Sequence, residues 1–303
     1  MQIAITGATG FLGRYLVRHL AQAGHHLRCW YRPQSERAGF EPWQEFLTWV
    51  PGELNDPAAT ATLVDGVDAV VHAGLARSGR GSFRASDPAE MLPLLETNLM
   101  GSLRLMHAAR AAAVPRFVFI STCAVHEIIL KDRPLDEAHP LWATHHYGAH
   151  KAALEKFVHS YGLGESWPIC AVRPTGIYGL DHPPERSKWY GLVGQVLRGE
   201  PISTVAGGKE VHAQDVARAV ALLLTAEAKV MAGQAYNCYD RYIAEQEVAR
   251  IAKELSGSRS NITEVNRGPK NQIDTKKIRS LGMTFGGDPL LRQTVAELIG
   301  AYR

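Results

Sequence analysis

Short apolar runs alternate along the first half of the chain with longer stretches whose apolar positions recur every three or four residues. Gln2–Thr6 is one such run, followed by glycines and by Phe11–Ala23, whose helical periodicity stops at Gly24. His26–Tyr31, Asp68–His72, Arg116–Ser121 and Ile169–Val172 read as further strands, and Ala58–Val64, Glu96–Ala113 and Tyr147–Tyr161 as helices. This alternation predicts an α/β fold on a parallel sheet covered on both faces. The regularity fades after Tyr178. Leu180–Ile202 carries prolines and one helical stretch, and Val211–Ala226, Gln246–Leu255 and Leu290–Tyr302 read as helices. No repeat or linker interrupts the chain. The expected organisation is a sheet domain over 1–178, with 205–232 returning to it, and a smaller interleaved substrate region over 179–303.

Composition narrows the partners. At 303 residues, 46% hydrophobic and 21% charged, the chain can bury a large core. A net charge of +3 without a basic run argues against nucleic acid. MQIAITGATG enters a strand at once, and no apolar stretch is long enough to span a bilayer. A cytoplasmic protein with no membrane partner is expected. Cys29, Cys123, Cys170 and Cys238 are scattered, as buried reduced thiols would be. The thirteen histidines include the adjacent pairs His25-His26 and His145-His146, and no H-E-x-x-H occurs, so no metal is expected.

Gly7-Ala8-Thr9-Gly10-Phe11-Leu12-Gly13 follows the first strand and opens the first helix. Its spacing is G-x-x-G-x-x-G rather than the G-x-G-x-x-G dinucleotide fingerprint, but the physical logic is shared. Glycines let backbone approach a pyrophosphate, and N–H groups at the helix start meet its charge. In this context the loop predicts nucleotide binding on a Rossmann-type, doubly wound parallel sheet. The second strand ends Tyr31-Arg32-Pro33. An acidic residue there would bind the ribose hydroxyls of NAD. Arg32 suits a 2′-phosphate, so NADP is the expected coenzyme, with NAD the alternative if Arg32 is an ordinary surface residue.

Tyr147 and Lys151 stand one helical turn apart. Both fall on an apolar stripe with Leu154, Phe157, Val158 and Tyr161, and a lysine on an inward-facing row breaks simple patterning, as functional residues do. A free phenol titrates near ~10, and a nearby ammonium favours phenolate. Lowering that value to about 7 takes ~4 kcal/mol, within reach of one close charge in a partly dry cleft. The product is an acid/base suited to carbonyl–alcohol chemistry. The plainer alternative is a tyrosine packed on the core and a lysine reaching the surface.

Glycine loop, Tyr-x-x-x-Lys and strand order together resemble the extended short-chain dehydrogenase/reductase family, also called the NAD(P)-dependent epimerase/dehydratase family. GVDAVVHAG, ETNLMGSLRLMHAARAAAVPRFVFIST, VRPTGIYG and VHAQDVARAV look like its later landmarks, so the likeness runs nearly end to end. The resemblance implies that Tyr147 is the acid/base and that Lys151 tunes it and binds the nicotinamide ribose. It implies that Thr122, three residues before Val125, offers a hydroxyl to a substrate carbonyl, with Ser121 the runner-up. It further implies coenzyme contacts at Gly7, Gly10, Phe11, Leu12, Gly13, Glu53, Leu54, Ala73 and Pro174, a structural Asn98, and a homodimer through the helices at Asn98 and Tyr147.

Two departures narrow the reaction. The family's sugar dehydratases carry Asp-Glu directly after the Ser/Thr, where this chain has Cys123-Ala124. Many nucleotide-sugar members read R-Y-F-N-V-Y-G, where Arg173–Gly179 places Gly176 at the asparagine. The expected function is an NADP-preferring oxidoreductase acting by hydride transfer on a small-molecule carbonyl, alcohol or sugar. Its substrate is expected over Leu180–Ile202, where Arg186, Lys188, Trp189 and Tyr190 offer charge and aromatic surface or else form a solvated face. A nucleotide-sugar epimerase with tightly held NAD(P) is the alternative enzyme. An NADP-binding redox sensor without turnover is the alternative of another class, and intact Thr122, Tyr147 and Lys151 speak against it.

Overall fold

The computed structural model describes residues 1–77, 88–264, 268 and 271–302. In chain order its strands and helices are β1 (Gln2–Thr6), α1 (Phe11–Gln22), β2 (His26–Tyr31), β3 (Leu47–Pro51), α2 (Pro57–Val64), β4 (Ala69–His72), α3 (Pro88–Leu95), α4 (Gly101–Ala111), β5 (Arg116–Ile120), α5 (His146–His159), β6 (Ile169–Pro174), β7 (Gly176–Tyr178), α6 (Tyr190–Leu197), β8 (Gly207–His212), α7 (Ala213–Thr225), α8 (Ala228–Met231), β9 (Gln234–Cys238), β10 (Arg241–Ala244), α9 (Glu245–Ser256), α10 (Lys276–Arg279) and α11 (Gly287–Gly300). They fall into two compact units. The first comprises Met1–Pro174, Ala217–Cys238 and Asp274–Met283, and the second Thr175–Val216, Tyr239–Ile273 and Thr284–Arg303.

The first unit is a Rossmann-type sheet of seven strands among the described residues, in the order β3-β2-β1-β4-β5-β6-β9, with every pairing parallel. Strand order reverses between β1 and β4, and in such sheets ligands bind beyond the carboxyl ends of the strands at the reversal. β4 and β6 are buried along their whole length, because helices cover both faces, and so they read as apolar runs rather than alternating ones. Val70, Phe117, Phe119, Leu105, Leu154 and Val158 belong to one core cluster there. The second unit holds a three-stranded sheet, β10-β8-β7, with β8 antiparallel to β10 and parallel to β7. Its own core joins Tyr178, Trp189, Val193, Ile251, Leu291 and Leu298.

The helix expected from Val211 starts at Ala213 instead, because Val211 and His212 end β8 and pair with Ile177 and Tyr178. The stretch expected to return at 205–232 is divided. Gly207–His212 belongs to the second unit, and Ala217–Cys238 to the first. Glu96–Ala113 contains a π turn, Glu96–Met100, before α4. On α5 the expected apolar stripe is altered: Phe157 is exposed and Glu155 is fully buried.

Candidate active site

β1 delivers the chain to Gly7, whose φ of +73° is left-handed. A Cβ at Gly7 would lie 2.8 Å from the Ala73 carbonyl and from Gly74 N, so the loops after β1 and β4 touch where the sheet order reverses. Thr6 Oγ1 ties them further, meeting His72 Nδ1 at 2.6 Å and accepting from Gly74 N at 3.0 Å. His72 Nε2 meets Ser102 Oγ at 2.8 Å. Burial holds this imidazole down at about 3, so it is a neutral brace. A side chain at 13 would run into the Gly7 and Ala8 carbonyls, so glycine is needed for α1 to start this close to the loop. α1 begins with no side-chain cap and no acidic residue in its first turn. The leading N–H groups at Phe11, Leu12 and Gly13 therefore stay available to an anion, and the cradle fits a dinucleotide pyrophosphate.

Thr122 opens a single 3₁₀ turn, Cys123–Val125, its Oγ1 accepting from Ala124 N at 3.1 Å. α5 packs on that turn: a Cβ at Gly148 would lie 2.5 Å from the Ala124 carbonyl. This brings Tyr147, in the first turn of α5, beside the Thr122 segment. Tyr147 is half-buried, with His145 and His150 flanking its ring at centroid separations of 6.0 and 5.5 Å. Lys151, one turn on, is buried; its Nζ donates to Ile120 O at 2.7 Å and lies 4.5 Å from the Phe119 ring centre. The lysine does not reach the surface. Burial lowers it to about 7, with the Glu155 carboxylate opposing. The ammonium expected to favour a phenolate is thus itself close to titrating at neutral pH.

The two neighbouring hydroxyls part company here. The Ser121 hydroxyl donates to Glu155, which Arg173 also holds through contacts of 2.5 to 3.0 Å. Ser121 thus serves a buried ion pair. The Cys123 thiol donates to Arg173 O at 2.9 Å and burial pushes it up to about 12, so it supplies neither acid nor base at the position of the dehydratase carboxylates.

Arg32 is exposed just past β2, its N–H donating to Ser35 Oγ at 3.0 Å. A second cation, unmarked by any sequence pattern, shares that tip: the Arg37 guanidinium lies 4.3 Å from the Tyr31 ring centre. Arg14 secures the loop by donating to Glu36 O and Ala38 O. Only this fold-back makes Arg37 a neighbour of β2. Glu53 is exposed beyond β3, whereas Leu54 packs in the core against Gly101. Asn98 clamps the segment after β4, accepting from Ala76 N at 2.8 Å and donating to Ala76 O at 3.0 Å. Pro174 ends β6 opposite Cys238.

In the second unit, three of the four expected substrate residues are otherwise engaged. Lys188 pairs with Glu210 at 2.5 Å, Trp189 is buried against Tyr178, and Tyr190 stacks on Tyr302 at 4.1 Å. Glu210 also fills the space beside Gly176, where a Cβ would lie 2.5 Å from its Oε2. Among the described residues no group of three or more His, Cys, Asp or Glu is placed to hold a metal, and no helix is long and apolar enough to cross a membrane.

Residues 3–238 match the model of the NAD dependent epimerase/dehydratase family. The chain belongs to this family. Among its relatives, the 3 beta-hydroxysteroid dehydrogenase/Delta 5-->4-isomerase of Mycobacterium tuberculosis is 26% identical over 216 residues, 70% of this chain and 55% of that protein. The UDP-glucose 4-epimerase of Rhizobium leguminosarum bv. trifolii is 28% identical over 194 residues, 62% of this chain and 55% of that one. The chain thus spans about half the length of the curated relatives it matches. Among solved structures, the UDP-glucose 4-epimerase of Thermotoga maritima with UDP-glucose has a TM-score of 0.80 at 20% identity, with all of both chains covered. The dTDP-glucose 4,6-dehydratase of Streptomyces venezuelae with NAD and TYD bound has a TM-score of 0.77 at 24% identity, covering 98% of this chain and 96% of that one. At these identities the structural likeness shows the shared fold. In this member of the epimerase/dehydratase family the glycine loop, Thr122, Tyr147 and Lys151 all lie in the first unit.

Proposed function

We propose that this family member is an NADP-preferring oxidoreductase that reduces a small-molecule carbonyl or oxidises the corresponding alcohol. The observation that carries the reading is the junction of α5 with the turn after β5. Close packing at Gly148 and the Lys151 bond to Ile120 O gather Thr122, Tyr147 and Lys151 at the carboxyl edge of the sheet. Bound coenzyme supplies or accepts the hydride. The Thr122 hydroxyl holds the substrate oxygen, and the Tyr147 phenol gives it a proton on reduction and takes one on oxidation. Lys151 holds the ribose and, in its protonated form, places positive charge beside the phenol. The glycine loop and the start of α1 take the pyrophosphate, while Glu53, Leu54, Ala73 and Pro174 flank the rest. Arg32 and Arg37 meet the 2′-phosphate with charge-assisted bonds.

The hydroxysteroid dehydrogenase relatives support alcohol–carbonyl chemistry, and the UDP-glucose 4-epimerase relative supports the second reading, an epimerase that retains NAD(P). Self-association through the helical segments at Asn98 and Tyr147 is part of the proposal, supported by exposed Met100, in the π turn before α4, and Phe157, on α5, and light scattering reads it. The functional test is a screen of aldehydes, ketones and alcohols by NADPH absorbance, with Tyr147→Phe as control. Turnover with exchangeable coenzyme is expected. Coenzyme retained through purification, with nucleotide-sugar interconversion, would transfer the assignment to the epimerase. Binding without consumption would leave the redox sensor.

A further inference from the structure

We propose that Glu127 and His145 are positioning residues for Tyr147, forming a carboxylate–imidazole–amide relay that sets the first turn of α5, a role that rests on the oxidoreductase reading above. His145 caps α5 with extended backbone (φ −137°, ψ 157°), and its Nδ1 accepts from Gly148 N at 2.9 Å. An imidazole nitrogen accepts only through its lone pair, so Nδ1 carries no proton. Nε2 lies 2.7 Å from Glu127 Oε1, a close contact though not an aligned hydrogen bond. Two lone pairs at that distance repel, so the ring proton sits on Nε2. The carboxylate therefore selects the one neutral tautomer that can cap the helix. Glu127 is itself held: its other oxygen accepts from Thr144 N at 2.9 Å and from the Thr144 hydroxyl, and its N–H donates to Trp142 O at 3.2 Å.

The capped turn is the one that matters for the chemistry. Tyr147 lies in it, its ring stacked on His145 at an interplanar angle of 29°. Gly148, whose N–H is capped, is also the residue pressed on Ala124 O beside Thr122. Serine or asparagine would cap unaided. A histidine caps dependably only when a second residue fixes its other nitrogen, so Glu127 acts on Tyr147 through His145.

The test is a double-mutant cycle, read both on kcat and, needing no substrate, on the Tyr147 ring resonances assigned with Tyr147→Phe. Glu127→Ala and His145→Ala should each lower kcat by roughly ten- to a hundredfold, up to the scale of a reacting group misplaced by about 1 Å, and move the Tyr147 resonances while KM changes little. His145→Asn, which caps without a tautomer, should restore most of kcat, and Glu127→Ala should then add no further effect. Additive losses in that background would make Glu127 an independent structural residue and overturn the relay. The ¹⁵N shifts of His145 should report protonated Nε2 in the wild type and a mixture in Glu127→Gln; protonated Nδ1 in the wild type overturns the relay whatever the activity. If no carbonyl is turned over, the oxidoreductase reading fails alone, and the coupling on the Tyr147 resonances still decides the relay.

Discussion

Replacing Lys151 by methionine should stabilise the coenzyme-free protein at acid pH. Burial disfavours the ammonium and brings Lys151 from 10.5 down to about 7. Between those values the unfolded chain keeps a proton that the folded chain releases. Stability therefore rises with pH across that window, and the whole penalty is present below it. A fall of that size corresponds to about 5 kcal/mol at about 1.4 kcal/mol per tenfold in acidity. Nearly all of it acts at about pH 6, and about 2 kcal/mol remains at about pH 9, a difference of roughly 2–3 kcal/mol. Methionine removes the penalty but leaves Ile120 O without its donor, which costs about 1–3 kcal/mol at either pH. The variant should thus gain roughly 2–4 kcal/mol at about pH 6 and lie within about 1 kcal/mol of the wild type at about pH 9. Urea unfolding of both proteins at the two pH values measures this. The deciding quantity is how the wild-type–variant difference changes with pH, because the Ile120 contribution cancels from it. A difference that stays constant within about 0.5 kcal/mol, below the expected change, would refute the buried-charge argument. The same stabilised variant should lose turnover and coenzyme affinity, since it lacks the charge and the ribose contact that Lys151 is proposed to provide.

Tyr147→Phe should keep coenzyme binding and lower turnover at least about a hundredfold, the scale of general acid–base catalysis; near-normal kcat would remove Tyr147 from the mechanism. Thr122→Val should be severe for turnover and Thr122→Ser mild, whereas Ser121→Ala should lower stability by about 1–3 kcal/mol by stripping a donor from buried Glu155. A reversed pattern in activity and denaturation assays would make Ser121 the substrate's hydroxyl. Arg32→Ala should weaken NADPH about ten- to a hundredfold and leave NADH nearly unchanged, and Arg37→Ala should act in the same direction. Equal wild-type dissociation constants for the two coenzymes would make both arginines ordinary surface residues. All four cysteines are buried thiols, so a thiol-specific chromogenic reagent should label none before unfolding; rapid labelling of Cys123 in the native protein would contradict its burial.

What lay open in the sequence is what short-range pattern controls. Short apolar runs marked β1 and β2, and 3.6-residue periodicity marked α1, almost to the residue, because strands covered on both faces are apolar throughout and a covering helix buries one face. The glycine spacing marked the cradle, because a left-handed Gly7 and a crowded Gly13 are local backbone requirements. The one-turn spacing of Tyr147 and Lys151 placed both on α5. The tertiary structure decided whatever depends on which surfaces meet. Gln234–Cys238, outside every element the pattern predicts, becomes a strand by pairing with β6, and Val211–His212 leaves the expected helix to pair with β7. Glu155 faces inward and Phe157 outward because Arg173, on β6, and Ser121, just past β5, converge on the carboxylate. Spacing put Lys151 near Tyr147, but only burial beneath Phe119 and Ile120 determined how readily it holds its charge. Arg37 and the Glu127–His145 pair were not legible for the same reason: Arg37 meets Tyr31 and Glu127 meets His145 through loop paths that follow neither helical nor strand spacing, and periodicity carries no information about contacts that only folding creates.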